Sequence, residues 1–295
     1  MINNIITYRI PVLTLTLLVI ISFIYIFPKV LRKYSTETAK REWRMNFPQT
    51  LEYVDNLPSP DSLFIFFMTG QSNMAGRGFV EPSDTIPNKR ILTIDKTNRW
   101  IYAKEPLHFY EPSLTGLDCG MSFAKKLLDS IPLGITIAMI PCAVGGSTIE
   151  QWLNNETFRG VMLLDNFTGK LDFVKDYGKI KGIIWHQGES NAKSELIPKY
   201  SQRLDSLISV FRISVKNDTL PIVLGELGSY STPMEKQNKW DAVNSIIHTI
   251  AATDNNLAVI ETEDLKHKGD NVHFDSQSLR KLGERYAKKY LELTK

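Results

Sequence analysis

Residues 64–78 read FIFFMTGQSNMAGRG. The apolar run Leu63–Met68 lacks any polar alternation, the pattern of a strand covered on both faces of a sheet. It stops at Thr69-Gly70, and Gln71, Ser72, Asn73, Gly76 and Gly78 follow. Ser72 is thereby placed at the carboxyl end of a buried strand, where ligands bind in open α/β sheets. Taken alone, a Gly-x-Ser also reads as a turn whose serine caps a helix. It is not the Gly-x-Ser-x-Gly elbow, because Met74 stands where the second glycine would be.

Outward from this stretch, apolar runs alternate with helical patterns to the end of the chain. Strands are predicted at Leu63–Met68, Ile91–Ile94, Ile135–Ile140, Gly182–Trp185, Pro221–Gly225 and Leu257–Ile260. Helices are predicted at Met121–Ser130, Glu195–Val215, Pro233–Thr253 and Ser276–Leu293. Such alternation implies an α/β fold, a mostly parallel sheet with helices on both faces. Residues 84–112, with Pro87, Pro106 and Pro112, read as a long loop.

Three more stretches could do chemistry. IPCAVGGSTIEQW (140–152) runs from a strand into Gly145-Gly146, where a main-chain N–H can approach a ligand closely. A glycine turn capped by Ser147 explains it equally well. GIIWHQGESN (182–191) ends a strand in His186, Gln187, Glu189 and Ser190. KHKGDNVHF (266–274) puts Asp270 and His273 three apart in a turn marked by Gly269 and Asn271, before a helix start at Asp275-Ser276. Serine becomes a good nucleophile when a histidine takes its proton and a carboxylate orients the ring. A surface histidine beside a helix cap is the plainer reading, and His267, Asp270 and His273 as metal ligands a third.

GQSNMAG resembles the nucleophile block of the SGNH hydrolases, in the branch of sialate O-acetylesterases and the acetylxylan esterases of carbohydrate esterase family 6. The other three stretches resemble that branch's remaining blocks, in order, over about residues 61–292, and Trp100 with EPLH at 105–108 resembles its W…EPLH segment. The resemblance implies a three-layer α/β/α sandwich and a serine esterase that removes O-acetyl groups from an acetylated glycan. It implies Ser72 as nucleophile, His273 as base and Asp270 as the residue orienting it. The oxyanion hole would be the Ser72 and Gly145 amides and the Gln187 side chain. Gln71, Asn73, Gly146, His186 and Glu189 would touch substrate or support the site. Glu189 stays open between a structural carboxylate, a substrate contact and the histidine's partner. Asn191 departs from the family's aspartate, which puts a charge at that position in doubt. No metal or organic cofactor is implied. A carbohydrate-binding protein without turnover and an O-acetyltransferase using the same triad are the alternatives. His108 lines the site by resemblance only, His248 reads as a packed helix residue, and Trp152, Trp185 and Trp240 read as core.

The chain has 295 residues and a net charge of +3, with no long basic block beyond the first fifty residues. Nucleic acid is therefore a poor partner. The two cysteines, Cys119 and Cys142, form no metal-ligand pattern, and a disulfide between them stays open. Ile10–Pro28 is free of charge, with Arg9 before it and Lys29, Arg32 and Lys33 after it. At ~1.5 Å per residue it just spans a bilayer core of roughly 30 Å. Without an A-x-A exit it reads as an uncleaved signal anchor. The expected organisation is a transmembrane helix over residues 1–34, a linker over 35–60 and the esterase domain over 61–295. Basic residues after the span argue for a cytoplasmic domain. The resemblance argues for an extracytoplasmic one, periplasmic or at the cell surface. Oligomeric state leaves no signal.

Overall fold

The computed structural model describes Phe27, Lys29 and residues 42–295. The anchor span falls outside the described residues; among those described, no helix is long and apolar enough to cross a membrane. Residues 46–295 form one compact unit. Part of the segment read as a linker belongs to it. Asn46 Nδ2 donates to Val80 O at 2.9 Å, and Val54 N–H donates to Trp100 O at 3.1 Å.

In chain order the elements are β1 (Leu63–Gly70), α1 (Ser72–Ala75), β2 (Ile91–Ile94), β3 (Trp100–Tyr102), α2 (Gly120–Leu128) and β4 (Thr136–Pro141). Then come α3 (Ile149–Leu153), a small hairpin of β5 (Thr157–Phe158) and β6 (Val161–Met162), α4 (Leu163–Val174) and β7 (Lys179–His186). The chain closes with α5 (Ile197–Val215), β8 (Ile222–Gly225), α6 (Met234–Ala251), β9 (Leu257–Ile260) and α7 (Ser276–Leu293). The main sheet has the order β3-β2-β4-β1-β7-β8-β9. It is parallel except for β3, which pairs antiparallel with β2. β3, the β5–β6 hairpin, α3 and α4 were not expected from the sequence.

β1 is the central strand and explains its own composition. Leu63, Ile65 and Phe67 belong to the core on one face, with Phe167, Trp152, Phe211 and Trp240. Phe66 and Met68 belong to the core on the other, with Phe123, Leu279, Leu282, Tyr286 and Tyr290. Phe67 meets Phe167 at 4.9 Å between ring centres, and Phe66 meets Phe123 at 5.0 Å and Tyr290 at 4.9 Å. Each fully buried phenylalanine contributes about 1.5–3 kcal/mol, so both faces of β1 must be apolar. Helices α2 and α7 supply one layer, and α3, α4, α5 and α6 supply the other.

This order also assembles the site. From β1 the chain builds β2, β3 and β4 on one side and later reaches β7 on the other, so β1 lies at a switch point whose crevice opens at the strands' carboxyl ends. The nucleophile turn after β1 is thereby flanked by residues 141–147 after β4 and residues 186–191 after β7. Gly70 has φ +127°, and a Cβ there would lie 2.1 Å from His186 O. Only glycine lets the turn sit this close to β7, where Gln71 N–H donates to His186 O at 2.8 Å.

Candidate active site

β1 ends in Gly70, Gln71 adopts φ −123° and ψ −147°, and the single turn of α1 begins at Ser72. The Gln71 carbonyl accepts from the N–H groups of Met74 and Ala75 at 3.0 and 2.8 Å, closing the turn. The Ser72 residue is only 5% exposed, and its Oγ lies 3.0 Å from His273 Nε2. His273 Nδ1 lies 2.7 Å from Asp270 Oδ2. Asp270 Oδ1 accepts the main-chain N–H groups of Val272 and His273 at 3.0 and 2.8 Å. An ionised carboxylate only accepts, so Nδ1 carries the proton and Nε2 presents its lone pair to the Ser72 hydroxyl.

Electrostatics agree with these roles. Burial pushes the Asp270 carboxyl up, but the two bonds from His273 and the Val272 amide outweigh it and hold the group below its ordinary range. Burial lowers the His273 imidazole; Asp270 pulls it back up, Lys268 and Arg77 push it down again, and the net result is a lowered pKa. Lys268 Nζ donates to Arg77 O at 3.2 Å and lies 3.9 Å from Asp270 Oδ2.

Within the same loop, His267 Nδ1 accepts from the N–H groups of Gly269 and Asn271 at 3.0 and 3.1 Å. That nitrogen shapes the turn, which answers the metal reading of His267. Among the described residues no group of three His, Cys, Asp or Glu side chains is placed to hold a metal ion.

The two other oxyanion donors expected from the sequence are engaged elsewhere. Gly145 gives its N–H to Glu111 Oε2 at 2.6 Å. Arg77 donates to the same oxygen at 2.8 Å, and Arg159 pairs with the other oxygen. Burial pushes the Glu111 carboxyl up, but Arg77, the Gly145 amide and Arg159 outweigh it, so the group lies below its usual range and is ionised. A Cβ at Gly145 would lie 1.9 Å from Arg77 Nη2, so this glycine serves the close approach of that ion pair. Gln187 is fully buried; its Nε2 donates to Asn191 Oδ1 at 2.6 Å and Ser147 O at 3.3 Å, and its Oε1 accepts from the Tyr200 hydroxyl at 3.1 Å. Both amide hydrogens are used, and Gln187 braces the second and third stretches together. The main-chain N–H groups of Ser72 and Gly146 donate to no protein group among the described residues.

Asn191 also gains a reason. Its Oδ1 accepts from Ile149 N–H at 2.9 Å, and its Nδ2 donates to both oxygens of Glu150 at 2.9 and 2.8 Å. An aspartate here would set one carboxylate against another. Gln71 Oε1 accepts from Ser190 N–H at 3.3 Å, and Ser190 Oγ donates to Gly146 O at 3.0 Å. His186 Nε2 donates to Glu226 O at 2.9 Å, and burial lowers its imidazole, keeping it neutral. Glu189 Oε1 accepts from Asn73 Nδ2 at 2.6 Å and lies 3.9 Å from His186 Nδ1. Its contacts thus run to Asn73 and His186, whereas the Nδ1 of His273 is taken by Asp270.

His108 sits beneath the second stretch: Nδ1 lies 2.9 Å from Asp118 Oδ2, and Nε2 accepts from Ala143 N–H at 3.3 Å. Trp152, Trp185 and Trp240 are at most 1% exposed and belong to the core. His248 instead reaches Glu226 Oε1 at 2.6 Å from a half-exposed position. Cys119 and Cys142 are both free and buried. Sequence reasoning missed the Arg77–Glu111–Arg159 network and Lys268. Arg77, a charged residue inside a glycine-rich turn, was the available signal.

Comparisons add a family. Residues 62–292 match the family described as carbohydrate esterase, sialic acid-specific acetylesterase. A probable carbohydrate esterase of Arabidopsis thaliana, At4g34215, is 28% identical over 246 residues, covering 77% of this chain and 90% of that protein. Its crystal structure aligns with a TM-score of 0.68, covering 79% of this chain and 99% of that one. The crystal structure of NanS shares the fold at 18% identity, with a TM-score of 0.64 over 81% of this chain and 99% of that chain.

Proposed function

The chain belongs to the carbohydrate esterase family of sialic acid-specific acetylesterases and is a carbohydrate O-acetylesterase; from this premise, we propose that it works through an acyl-enzyme on Ser72. The observation that carries the reading is the line of atoms Ser72 Oγ, His273 Nε2, His273 Nδ1 and Asp270 Oδ2, with contacts of 3.0 and 2.7 Å at its ends.

Ser72 Oγ attacks the acetyl carbonyl carbon while its proton passes to His273 Nε2. The carbonyl electron pair moves onto oxygen. Collapse of this tetrahedral species breaks the bond to the sugar oxygen, which takes the proton from Nε2. Water then gives a proton to the same nitrogen, its oxygen attacks the acetyl-serine, and acetate leaves as Ser72 regains its hydrogen. Asp270 stays ionised and stabilises the imidazolium. Because Gly145 and Gln187 are engaged, the N–H groups of Ser72 and Gly146 are the donors for the oxyanion, each worth about 3 kcal/mol of barrier in comparable sites.

The family description favours O-acetylated sialic acid as substrate, with acetylated xylan as the competing glycan. The charge-free span Ile10–Pro28 supports a membrane tether, and the family resemblance supports a catalytic domain outside the cytoplasm, against the basic residues that follow the span. Membrane fractionation with protease accessibility of the domain tests that arrangement, and a domain shielded by the intact membrane refutes it.

The test of the mechanism is acetate release from a panel of acetylated glycans and one acetyl ester, with wild type and Ser72→Ala. Ser72→Ala should fold and lose on the order of 10⁴-fold or more in kcat. Wild-type turnover in a folded Ser72→Ala removes the nucleophile assignment.

A further inference from the structure

Asn73 follows the nucleophile in the chain and is 1% exposed. Its side chain reaches across to the loop that carries the base. Oδ1 accepts from Phe274 N–H at 3.1 Å, and Nδ2 donates to Val272 O at 3.2 Å. These two groups lie on either side of His273. The second hydrogen on Nδ2 goes to Glu189 Oε1 at 2.6 Å. A carboxylate there can only accept, so it fixes which end of the carboxamide faces Val272 and which faces Phe274.

Other bonds shape the loop from within or tie it to neighbouring segments. Lys268 N–H donates to His273 O at 2.9 Å, and Asp275 N–H to Lys266 O at 2.9 Å. Neither sets where the imidazole stands relative to Ser72. Asn73 does, because it is joined by one peptide bond to Ser72 and by two hydrogen bonds to the flanks of His273. Its three contacts use both amide hydrogens and the carbonyl oxygen, and its burial keeps it from substrate.

We propose that Asn73, oriented by Glu189, is a positioning residue: it grips the main chain on both sides of His273 and so sets the Ser72–His273 distance. This rests on Ser72 and His273 acting as nucleophile and base. It also gives Glu189 a role in the same reaction, through Asn73 and not through the imidazole.

The experiment measures kcat and KM on one acetyl ester, the rate at which a fluorophosphonate labels Ser72, and thermal stability. Displacing a reacting group by about 1 Å costs on the order of 10²-fold. Asn73→Ala should therefore lose about 10²-fold in kcat with KM little changed, and the labelling rate should fall in parallel. Glu189→Gln keeps an oxygen that can accept from Asn73 and should stay within a few-fold of wild type. Asn73→Asp sets two carboxylates together and should be strongly impaired. Asn73→Asp/Glu189→Gln restores a donor to that pair and should recover at least tenfold over Asn73→Asp. This pair of variants also decides the matter if Asn73→Ala does not fold. A folded Asn73→Ala with wild-type labelling, a change in KM alone, or no recovery in the double variant overturns the proposal. Ser72→Ala separates the two ideas. If it is inactive while Asn73→Ala is normal, only the role of Asn73 falls; if it retains turnover, the underlying mechanism falls.

Discussion

Lys170 gives a prediction about stability that can be worked from geometry. It lies on α4, in a helix face otherwise formed by Leu163, Phe167, Leu171 and Val174, and is 5% exposed. Its Nζ donates to the Tyr110 hydroxyl and to Pro141 O, and lies 4.8 and 4.5 Å from the ring centres of Phe109 and Tyr110. No carboxylate pairs with it among the described residues. Burial lowers its pKa from 10.5 to about 7. A shift of that size corresponds to about 5 kcal/mol held against folding at low pH. The unfolded chain keeps the proton up to its ordinary pKa, whereas the folded chain gives it up near neutrality. Between those values the unfolded state binds more protons, so stability rises with pH, by up to about 1.4 kcal/mol per unit. From pH 7 to pH 9 the gain is about 2.3 kcal/mol, because the folded lysine is still half-protonated at pH 7.

Lys170→Met should remove that slope. Methionine fills a similar volume, and the Tyr110 hydroxyl lies 2.8 Å from Pro141 O, within reach to satisfy that carbonyl. Urea unfolding of both proteins from pH 6.5 to 9.5 is the assay. The variant should be more stable at pH 7, and its advantage should shrink as pH rises toward 9. Parallel curves for the two proteins would refute the reasoning, because they would mean that Lys170 titrates alike in the folded and unfolded chains.

Two further outcomes concern the reaction. Asp270→Asn should keep the loop's shape but favour the wrong imidazole tautomer, lowering kcat by up to about 10⁴-fold near pH 7; a near-normal Asp270→Asn beside a dead, well-folded Glu189→Gln would give the partner role to Glu189. Lys268 pushes the His273 pKa down, so Lys268→Met should move the acid limb of kcat/KM toward higher pH, and an unmoved limb in a pH-rate profile would contradict this.

The sequence is most legible where one physical demand acts alone. β1 and β7 lie between two helical layers, so their unbroken apolar runs could be read directly, and the turns that follow them placed Ser72 and the 186–191 stretch. α4 was hidden because its buried face includes Lys170 and its other positions include Asn166, Thr168 and Gly169, poor helix formers. β3 has three residues and pairs only at the sheet edge, too short for a period to show. At the site, residue types and order were legible for Ser72, Asp270 and His273, and the structure brings these three together. The direction of a single amide was not: whether Gly145 points its N–H at a substrate or at Glu111 depends on a carboxylate 34 positions away. No spacing rule encodes that choice. Asn73 was legible as part of a motif, but its grip on residues 272 and 274 spans the length of the domain.

The central place of β1 has a consequence for how the chain is made. β1 is made before the other strands of the described sheet and ends in its middle, between partners that come much later. At about 5–20 residues per second, its second edge waits on the order of ten seconds for β7 after β1 has left the ribosome. During that interval LFIFFMTG presents open main-chain groups and bare aromatic side chains, the features that recruit other strands into aggregates. Translation speed and holding chaperones should therefore govern the yield of this protein more than the stability of the finished fold, and shortening the delay between β1 and β7 should raise it.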